Sequence, residues 1–283
     1  MKPIIIIGAP RSGTKMLRGI LASHPGLVTF PSEIDYIWKH GNESIPHDEL
    51  TQHDALPEVK EYIRSQFALL STRHKNARVV EKSVANSLRV EFVHSVFPDA
   101  CFVHLVRDGR ASVESVRRSW ESGFSAKYYL QKFQGVDWSD ALYFSSKYFS
   151  HHLRRKGIIG SDKGVNGPHF SGMKKLIENK DALEVCAIQW MNCVKIAKSQ
   201  LKAVPVEQVL EIKYEDLVKD PLELMQSAFH FLDLEFTSES NNYISKNIHD
   251  SNLGKWKENL SVEELNLLLP HINEQLHQFG YSV

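Results

Sequence analysis

The sequence lacks an excess of charge of either sign, because 34 basic and 34 acidic residues balance. A balanced chain gives no general reason to expect nucleic-acid binding. Cysteine is also scarce, with only Cys101, Cys186 and Cys193, an odd number set in apolar runs. We therefore expect three buried hydrophobic side chains rather than a disulfide framework, and a reducing compartment.

Long hydrophobic runs are missing as well. No stretch approaches the roughly 20 apolar residues that a membrane-spanning helix needs. The apolar run Ile4–Ile7 is too short for a signal-peptide core or a span. We predict a soluble, cytoplasmic protein and leave peripheral membrane association open. The 14 histidines show no H-E-x-x-H or paired metal spacing, so we also predict no catalytic metal.

Strand, turn and helix patterns alternate along the chain. This alternation predicts an α/β fold with a P-loop-type parallel β-sheet flanked by helices. At 283 residues, a single domain over 1–283 is the prediction. The predicted strands are Ile4–Ile7, Leu27–Phe30, Arg78–Val80, Cys101–Val106 and Val206–Ile212.

Residues 121–180 break this rhythm, since they are rich in aromatic, serine, glycine and basic residues. We predict a largely helical or irregular insertion that forms an acceptor-binding wall or lid. Aromatic faces suit sugar rings or a tyrosine, and the basic clusters suit an anionic acceptor or a membrane surface. A solvent-exposed face is the alternative interpretation.

Residues 4–17 carry the most informative pattern, a buried strand that leads through a glycine-bearing turn into a helix. Gly8 and Gly13 let backbone N–H groups crowd around phosphate oxygens, and a helix start favours an anion. The nucleoside-triphosphate signature needs Lys directly after its second Gly, followed by a hydroxyl residue. Here Thr14 precedes Lys15, and the cation inside the loop is Arg11. The loop therefore predicts a nucleotide-like anion, and the reversed order of Thr14 and Lys15 counts against a nucleoside triphosphate.

Polar residues also follow two further predicted strands, at Glu81–Ser83 and at Arg107–Arg110. Because the carboxyl ends of parallel strands share one edge of a sheet, we expect both segments to converge on the loop at 9–14.

The segments Pro10–Thr14 and His104–Ser112 resemble the sulfotransferase family that uses 3′-phosphoadenosine 5′-phosphosulfate (PAPS). The resemblance extends over most of the chain and implies a sulfotransferase with PAPS as donor and no metal. It implies that the first loop binds the 5′-phosphosulfate and that a strand-end Arg and a helix Ser bind the 3′-phosphate. The cofactor-binding residues would be Arg11, Ser12, Gly13, Thr14, Lys15, Arg107, Ser115, Arg118 and Lys255.

The segment Glu81–Arg89 is similar to the tyrosylprotein branch of that family. The resemblance implies that Lys82, together with Arg11, stabilises the transferring sulfuryl group, because negative charge develops as the bond to phosphate breaks. For the catalytic base we choose Glu33, in a turn after the second strand, with Asp35 as its competitor. Gly254-Lys255-Trp256 resembles the family's late Gly/Ser-Lys-Trp segment, which folds over the cofactor, and the resemblance implies that Lys255 contacts it.

The cytosolic small-molecule sulfotransferases place a His near Val84 and Ala85, and its absence argues against phenol and steroid acceptors. We favour a glycan, glycolipid or small metabolite as acceptor, with peptide tyrosine as the alternative. A P-loop nucleotide kinase and a non-catalytic nucleotide-binding scaffold are the two rival functions. The sequence gives no oligomeric state.

Overall fold

A computed structural model of the chain describes residues 1–121, 167–250 and 253–282. Its centre is a five-stranded sheet in which every pairing is parallel, with strand order β2-β3-β1-β4-β5. The predicted α/β class with a parallel sheet is confirmed. The strands are β1 Ile4–Ile7, β2 Leu27–Thr29, β3 Arg78–Glu81, β4 Cys101–Val106 and β5 Val209–Lys213.

Helices cover both faces of this sheet. The helices before the undescribed segment are α1 Thr14–Ala22, α2 Asp35–Trp38, α3 Pro57–Arg73, α4 Val90–Val96 and α5 Gly109–Glu121. Those after it are α6 Met173–Asn179, α7 Ala182–Leu201, α8 Tyr214–Lys219, α9 Pro221–Phe231, α10 Ser238–Asn247, α11 Trp256–Asn259 and α12 Val262–Gln278. Short 3-10 turns lie at Gln52–Asp54, Val84–Leu88 and Val206–Gln208.

The central strand β1 is buried on both faces, as its continuous isoleucine run requires. Successive side chains of a strand point to opposite faces. Ile5 and Ile7 pack in a cluster with Phe67 from α3, whereas Ile4 and Ile6 pack in the opposite cluster. The sheet is therefore enclosed by helices on both sides.

A third apolar cluster lies among α5, α6, α7 and α12, beside the sheet. Trp190 of α7 is its largest buried side chain, and an added Cβ on Gly109 would come within 2.9 Å of the Trp190 ring. Close packing at Gly109 fixes the start of α5 against α7, which positions the residues that follow β4.

The structure corrects one predicted boundary. We expected the last strand to begin at Val206, but Val206 is 84% exposed and lies in a 3-10 turn after Pro205, and β5 begins at Val209. The predicted insertion at 121–180 falls mostly on 122–166, outside the described residues. Its described end contains α6, whose Met173 is buried in the third cluster.

Two expectations from composition can be compared with the fold. All three cysteines are buried and none forms a disulfide, as predicted. Over the described ranges, no helix combines the length and the apolar character needed to cross a membrane.

Candidate active site

The loop between β1 and α1 has a strained backbone that its sequence explains. Gly13, at the N-cap of α1, has a φ of 93°, which favours glycine. An added Cβ there would come within 2.5 Å of the Tyr214 ring, so the loop also needs glycine for space. Arg11 adopts a φ of 64°, an uncommon conformation for a residue with a side chain. Strain of this kind is typical of functional loops.

The hydroxyl of Ser12 closes the loop internally. Ser12 is fully buried, its Oγ donates to the Ala9 carbonyl at 2.7 Å, and its backbone N–H donates to the same oxygen at 3.2 Å. Thr14 is also buried, at the first turn of α1. Lys15, the next residue of α1, is exposed.

Two hydrogen bonds join this loop to the turn between β4 and α5. Arg11 Nε donates to Ser115 Oγ at 2.9 Å, and Arg107 Nη1 donates to the Arg11 carbonyl at 2.9 Å. The Arg107 guanidinium also stacks over the Tyr214 ring at 4.3 Å. Tyr214 therefore supports both Gly13 and Arg107, and the predicted residues from two strand ends meet at one place.

Arg11, Arg107 and Ser115 line an open cleft with an empty volume of about 410 Å³. Its basic side chains are Arg11, Arg107, Arg118 and Lys255, and its acidic side chain is Glu114. Such a cationic concavity at the carboxyl edge of a parallel sheet can hold a ligand with several phosphate charges.

Contacts with α5 hold the segment that carries Lys255 beside this cleft. Arg110 lies over the Trp256 ring at 4.2 Å, and Asn259 Nδ2 donates to Glu114 at 3.0 Å. Arg117 donates to the Asn259 carbonyl at 3.3 Å. The late Gly-Lys-Trp segment is thus docked on the same helix that supplies Ser115.

The second group of predicted residues meets on the other side of β1. Lys82, directly after β3, donates to Glu33 in a charged hydrogen bond. The Lys82 side chain is 8% exposed and the Glu33 carboxylate is 30% exposed. The structure therefore brings the predicted base and a predicted sulfuryl-stabilising cation into direct contact.

Asp35, the competing base, is held by a different cation. Arg89, a completely buried guanidinium, donates to Asp35 at 2.6 Å and lies 3.9 Å from Asp48. Arg89 Nε also donates to Asn86 Oδ1 at 2.8 Å. Asp35 is 19% exposed and bound to a fully buried arginine, so it is less available as a base than Glu33, which is 30% exposed.

Glu81, the last residue of β3, connects these groups. Its carboxylate accepts from Ser83 Oγ at 2.6 Å and from Asn86 Nδ2 at 2.7 Å. Ser83 Oγ in turn accepts from the Ile34 backbone N–H at 3.1 Å. Burial raises the pKa of Glu81 to about 7, and the negative charge of Asp35 adds to that rise. Glu81 thus buttresses the turn that carries Glu33 and Asp35.

Sequence reasoning assigned no individual role to four residues of this region. They are Arg18, Glu81, Arg89 and Glu114. Burial lowers the pKa of Arg18, on α1. The negative charges of Glu33 and Glu81 act in the opposite direction on this pKa, so Arg18 lies close enough to interact with both carboxylates. A signal existed for Glu81, since an acid between Val80 and Lys82 in a buried strand needs partners. The others carry no local motif.

Among the described parts of the chain, no group of three or more histidine, cysteine or acidic side chains could hold a metal ion.

Comparison with known proteins assigns a family. The model of the sulfotransferase family matches residues 3–163 and 151–238, which is more than half of the chain. The protein-tyrosine sulfotransferase of Drosophila melanogaster is 23% identical over 247 residues, 82% of this chain and 38% of that protein. Protein-tyrosine sulfotransferase 1 of Danio rerio is 30% identical over 142 residues, 45% of this chain and 39% of that protein. The chain spans about two fifths of the length of these two relatives.

Solved structures share the fold at low identity. The sulfotransferase domain from the curacin biosynthetic pathway superposes with a TM-score of 0.60 at 18% identity, covering 100% of this chain and 98% of that domain. A mouse sulfotransferase complexed with PAP gives a TM-score of 0.53 at 13% identity, covering 99% of this chain and 85% of that one. The family match over most of the chain and the shared fold together show that this chain belongs to the sulfotransferase family.

Proposed function

We propose that the chain transfers the sulfuryl group of PAPS to an acceptor hydroxyl. The observation that carries this proposal is the bridge from Arg11 to Ser115 and from Arg107 back to the Arg11 carbonyl. This bridge joins the loop at 9–14, between β1 and α1, to the β4–α5 turn at one cationic cleft. A donor with separate 5′- and 3′-phosphate groups requires two such anion sites on one surface.

The residues present fit this donor. Arg107 Nε is buried without a hydrogen-bond partner among the described residues, and a ligand phosphate would supply one. Arginine suits a phosphate because its planar fork donates two parallel hydrogen bonds. The residues that would hold the nucleotide are Arg11, Ser12, Gly13, Thr14, Arg107, Ser115, Arg118 and Lys255. Lys15 stays a further candidate; its side chain is exposed and, like Ser12, Gly13 and Thr14, it is not among the residues that line the cleft.

PAPS supplies the sulfuryl group when bound, and its remainder leaves as adenosine 3′,5′-bisphosphate (PAP). Glu33 accepts the proton of the acceptor hydroxyl as the oxygen attacks sulfur. Lys82 and Arg11 stabilise the negative charge that develops on the leaving oxygen. Because Lys82 is paired with Glu33, protonation of Glu33 weakens that pairing just when the cation is needed. Proton transfer and charge stabilisation are therefore coupled through one ion pair.

Glu33 is favoured over Asp35 as the base by their partners. Arg89 and its buried surroundings fix Asp35 in a structural network. Glu33 is the more exposed of the two carboxylates and pairs with a lysine placed for the transfer.

Peptide tyrosine is the second candidate for the acceptor, supported by the names of the two insect and fish relatives. A glycan, glycolipid or small metabolite is the acceptor class favoured by the sequence. The cytoplasmic location and the absence of a metal requirement stay predictions.

The first test is calorimetric titration of the purified protein with PAP, ATP and ADP, each with and without Mg²⁺. We expect micromolar PAP binding that is independent of metal, and much weaker ATP binding. Preference for ATP with Mg²⁺ would contradict the proposal and favour the kinase. A labelled PAPS assay with tyrosine peptides, glycans and small hydroxylated metabolites then identifies the acceptor. Binding without turnover on every acceptor would favour the scaffold.

A further inference from the structure

The cleft contains one feature that opposes anion binding. Glu114, on α5, lines the cleft together with four basic side chains and is 4% exposed. A carboxylate next to a phosphate site raises the electrostatic cost of placing a phosphate there. The four basic side chains of the lining favour an anion, so the position of Glu114 needs a separate explanation.

The two oxygens of Glu114 make different contacts. Oε1 accepts a hydrogen bond from Asn259 Nδ2 at 3.0 Å, and Oε2 lies 3.5 Å from Arg118 Nη2. The first contact ties α11 to α5. The second draws the guanidinium of Arg118, whose side chain is 56% exposed, toward a protein carboxylate. A bound phosphate must therefore compete with Glu114 for Arg118.

We propose that Glu114 is an affinity-limiting residue of the cleft, which weakens the hold on PAP and so speeds its release after transfer. This inference rests on the proposed function, since it assumes that PAP occupies the cleft. Glu114 draws Arg118 away from the 3′-phosphate of PAP and also repels this phosphate directly. Both effects lower the affinity for PAP. Affinity differences between related complexes arise mostly in the dissociation rate. A carboxylate that weakens product binding thus shortens the life of the product complex.

Glu114→Gln separates the charge of this residue from its structural contact. A glutamine Oε1 still accepts from Asn259 Nδ2, whereas the attraction on Arg118 is lost. We expect Glu114→Gln to bind PAP about fivefold to tenfold more tightly by calorimetry, with a matching decrease of the dissociation rate in a stopped-flow displacement assay. Adenosine 5′-phosphate, which lacks the 3′-phosphate, should change by less than about twofold.

Matched variants identify the cause. Glu274→Gln makes the same charge change at an exposed position of α12 and should leave PAP affinity unchanged. The double variant Glu114→Gln with Arg118→Ala should lose most of the gain, because Arg118 is then absent. If Glu114→Gln does not fold, Glu114→Met is compared with Asn259→Ala. Both lose the tie to α11, and only the first also removes the charge, so Glu114→Met should bind PAP more tightly.

The outcomes distinguish this inference from the proposed function. A wild-type protein that binds no PAP overturns the proposed function and this inference with it. A wild-type protein that binds PAP, with Glu114→Gln showing equal or weaker affinity, overturns this inference alone. Equal tightening of PAP and adenosine 5′-phosphate also overturns it, because the effect would not involve the 3′-phosphate.

Discussion

The cleft beside α5 and the Glu33–Lys82 side of the sheet use charge in opposite ways. The cleft places Arg11, Arg107, Arg118 and Lys255 around one acid, Glu114. The other side pairs its charges within the protein, as Lys82 with Glu33 and Arg89 with Asp35 show. A cleft with four cations and one acid can attract an anionic ligand, whereas a neutralised buried network acts within the fold itself. Removal of a cleft cation should therefore lower PAP affinity, and substitutions in the network should lower stability or turnover.

The largest expected effect is the loss of stability in Arg89→Met. Arg89 is fully buried, and its removal leaves Asp35 and Asp48 without their cation. We expect about 3 to 5 kcal/mol less stability, measured by urea denaturation. Arg118→Ala, on the exposed side of the cleft, serves as the control and should change stability by less than about 0.5 kcal/mol. Equal losses of stability in Arg89→Met and Arg118→Ala would contradict the proposed difference between the two regions.

Lys82→Ala should lower kcat by about a hundredfold to a thousandfold, because the cation that stabilises the leaving oxygen is lost. The affinity for PAP should stay within about twofold, since Lys82 does not line the nucleotide cleft. Steady-state kinetics and calorimetry on the same preparation measure both. Lys82→Arg keeps the charge and should recover part of kcat. A parallel loss of kcat and PAP affinity would assign Lys82 to binding instead.

Glu81→Gln tests the buried network through pH. Burial raises the pKa of Glu81 from 4.5 to about 7, so the folded protein holds a proton that the unfolded chain releases in this interval. The contribution of Glu81 to stability is therefore present below about pH 4.5 and falls as pH rises toward 7, by at most about 3 kcal/mol. The stability of Glu81→Gln should not show this decrease between pH 4.5 and 7. Denaturation between pH 4.5 and 8 measures it, and identical profiles for both proteins would contradict the assignment.

Arg107→Ala should weaken PAP binding by about tenfold to a hundredfold, because a charged hydrogen-bond donor is removed from the cleft. Its stability should change little, and kcat at saturating PAPS should fall less than in Lys82→Ala. Calorimetry measures the PAP affinity, and thermal unfolding measures the stability. Lys213→Ala, whose ammonium lies 5.4 Å from the Tyr281 ring and does not line the cleft, serves as the control for charge removal.

The elements that could be predicted from the sequence are those with a strong local pattern. β1 and β4 have the predicted bounds because their residues are apolar throughout and buried on both faces. β5 was predicted three residues too early, since Val206 has the composition of a strand residue but follows Pro205 in an exposed turn. Helices α8 to α10 were not predicted; they are 6 to 11 residues long, and helices this short depend on tertiary packing for their stability.

The sequence by itself determined the glycine-bearing loop after β1, the alternation of strands and helices and the polar residues at the strand ends, because each is a pattern within one strand–turn–helix unit. Only the tertiary structure decided the pairings. Glu33 meets Lys82 across 49 positions, and Arg11 meets Ser115 across 104. The partners of Glu81, Arg89 and Glu114 were decided in the same way. Side chains far apart in the chain become neighbours through the order of strands in the sheet and the docking of helices, which no local pattern encodes.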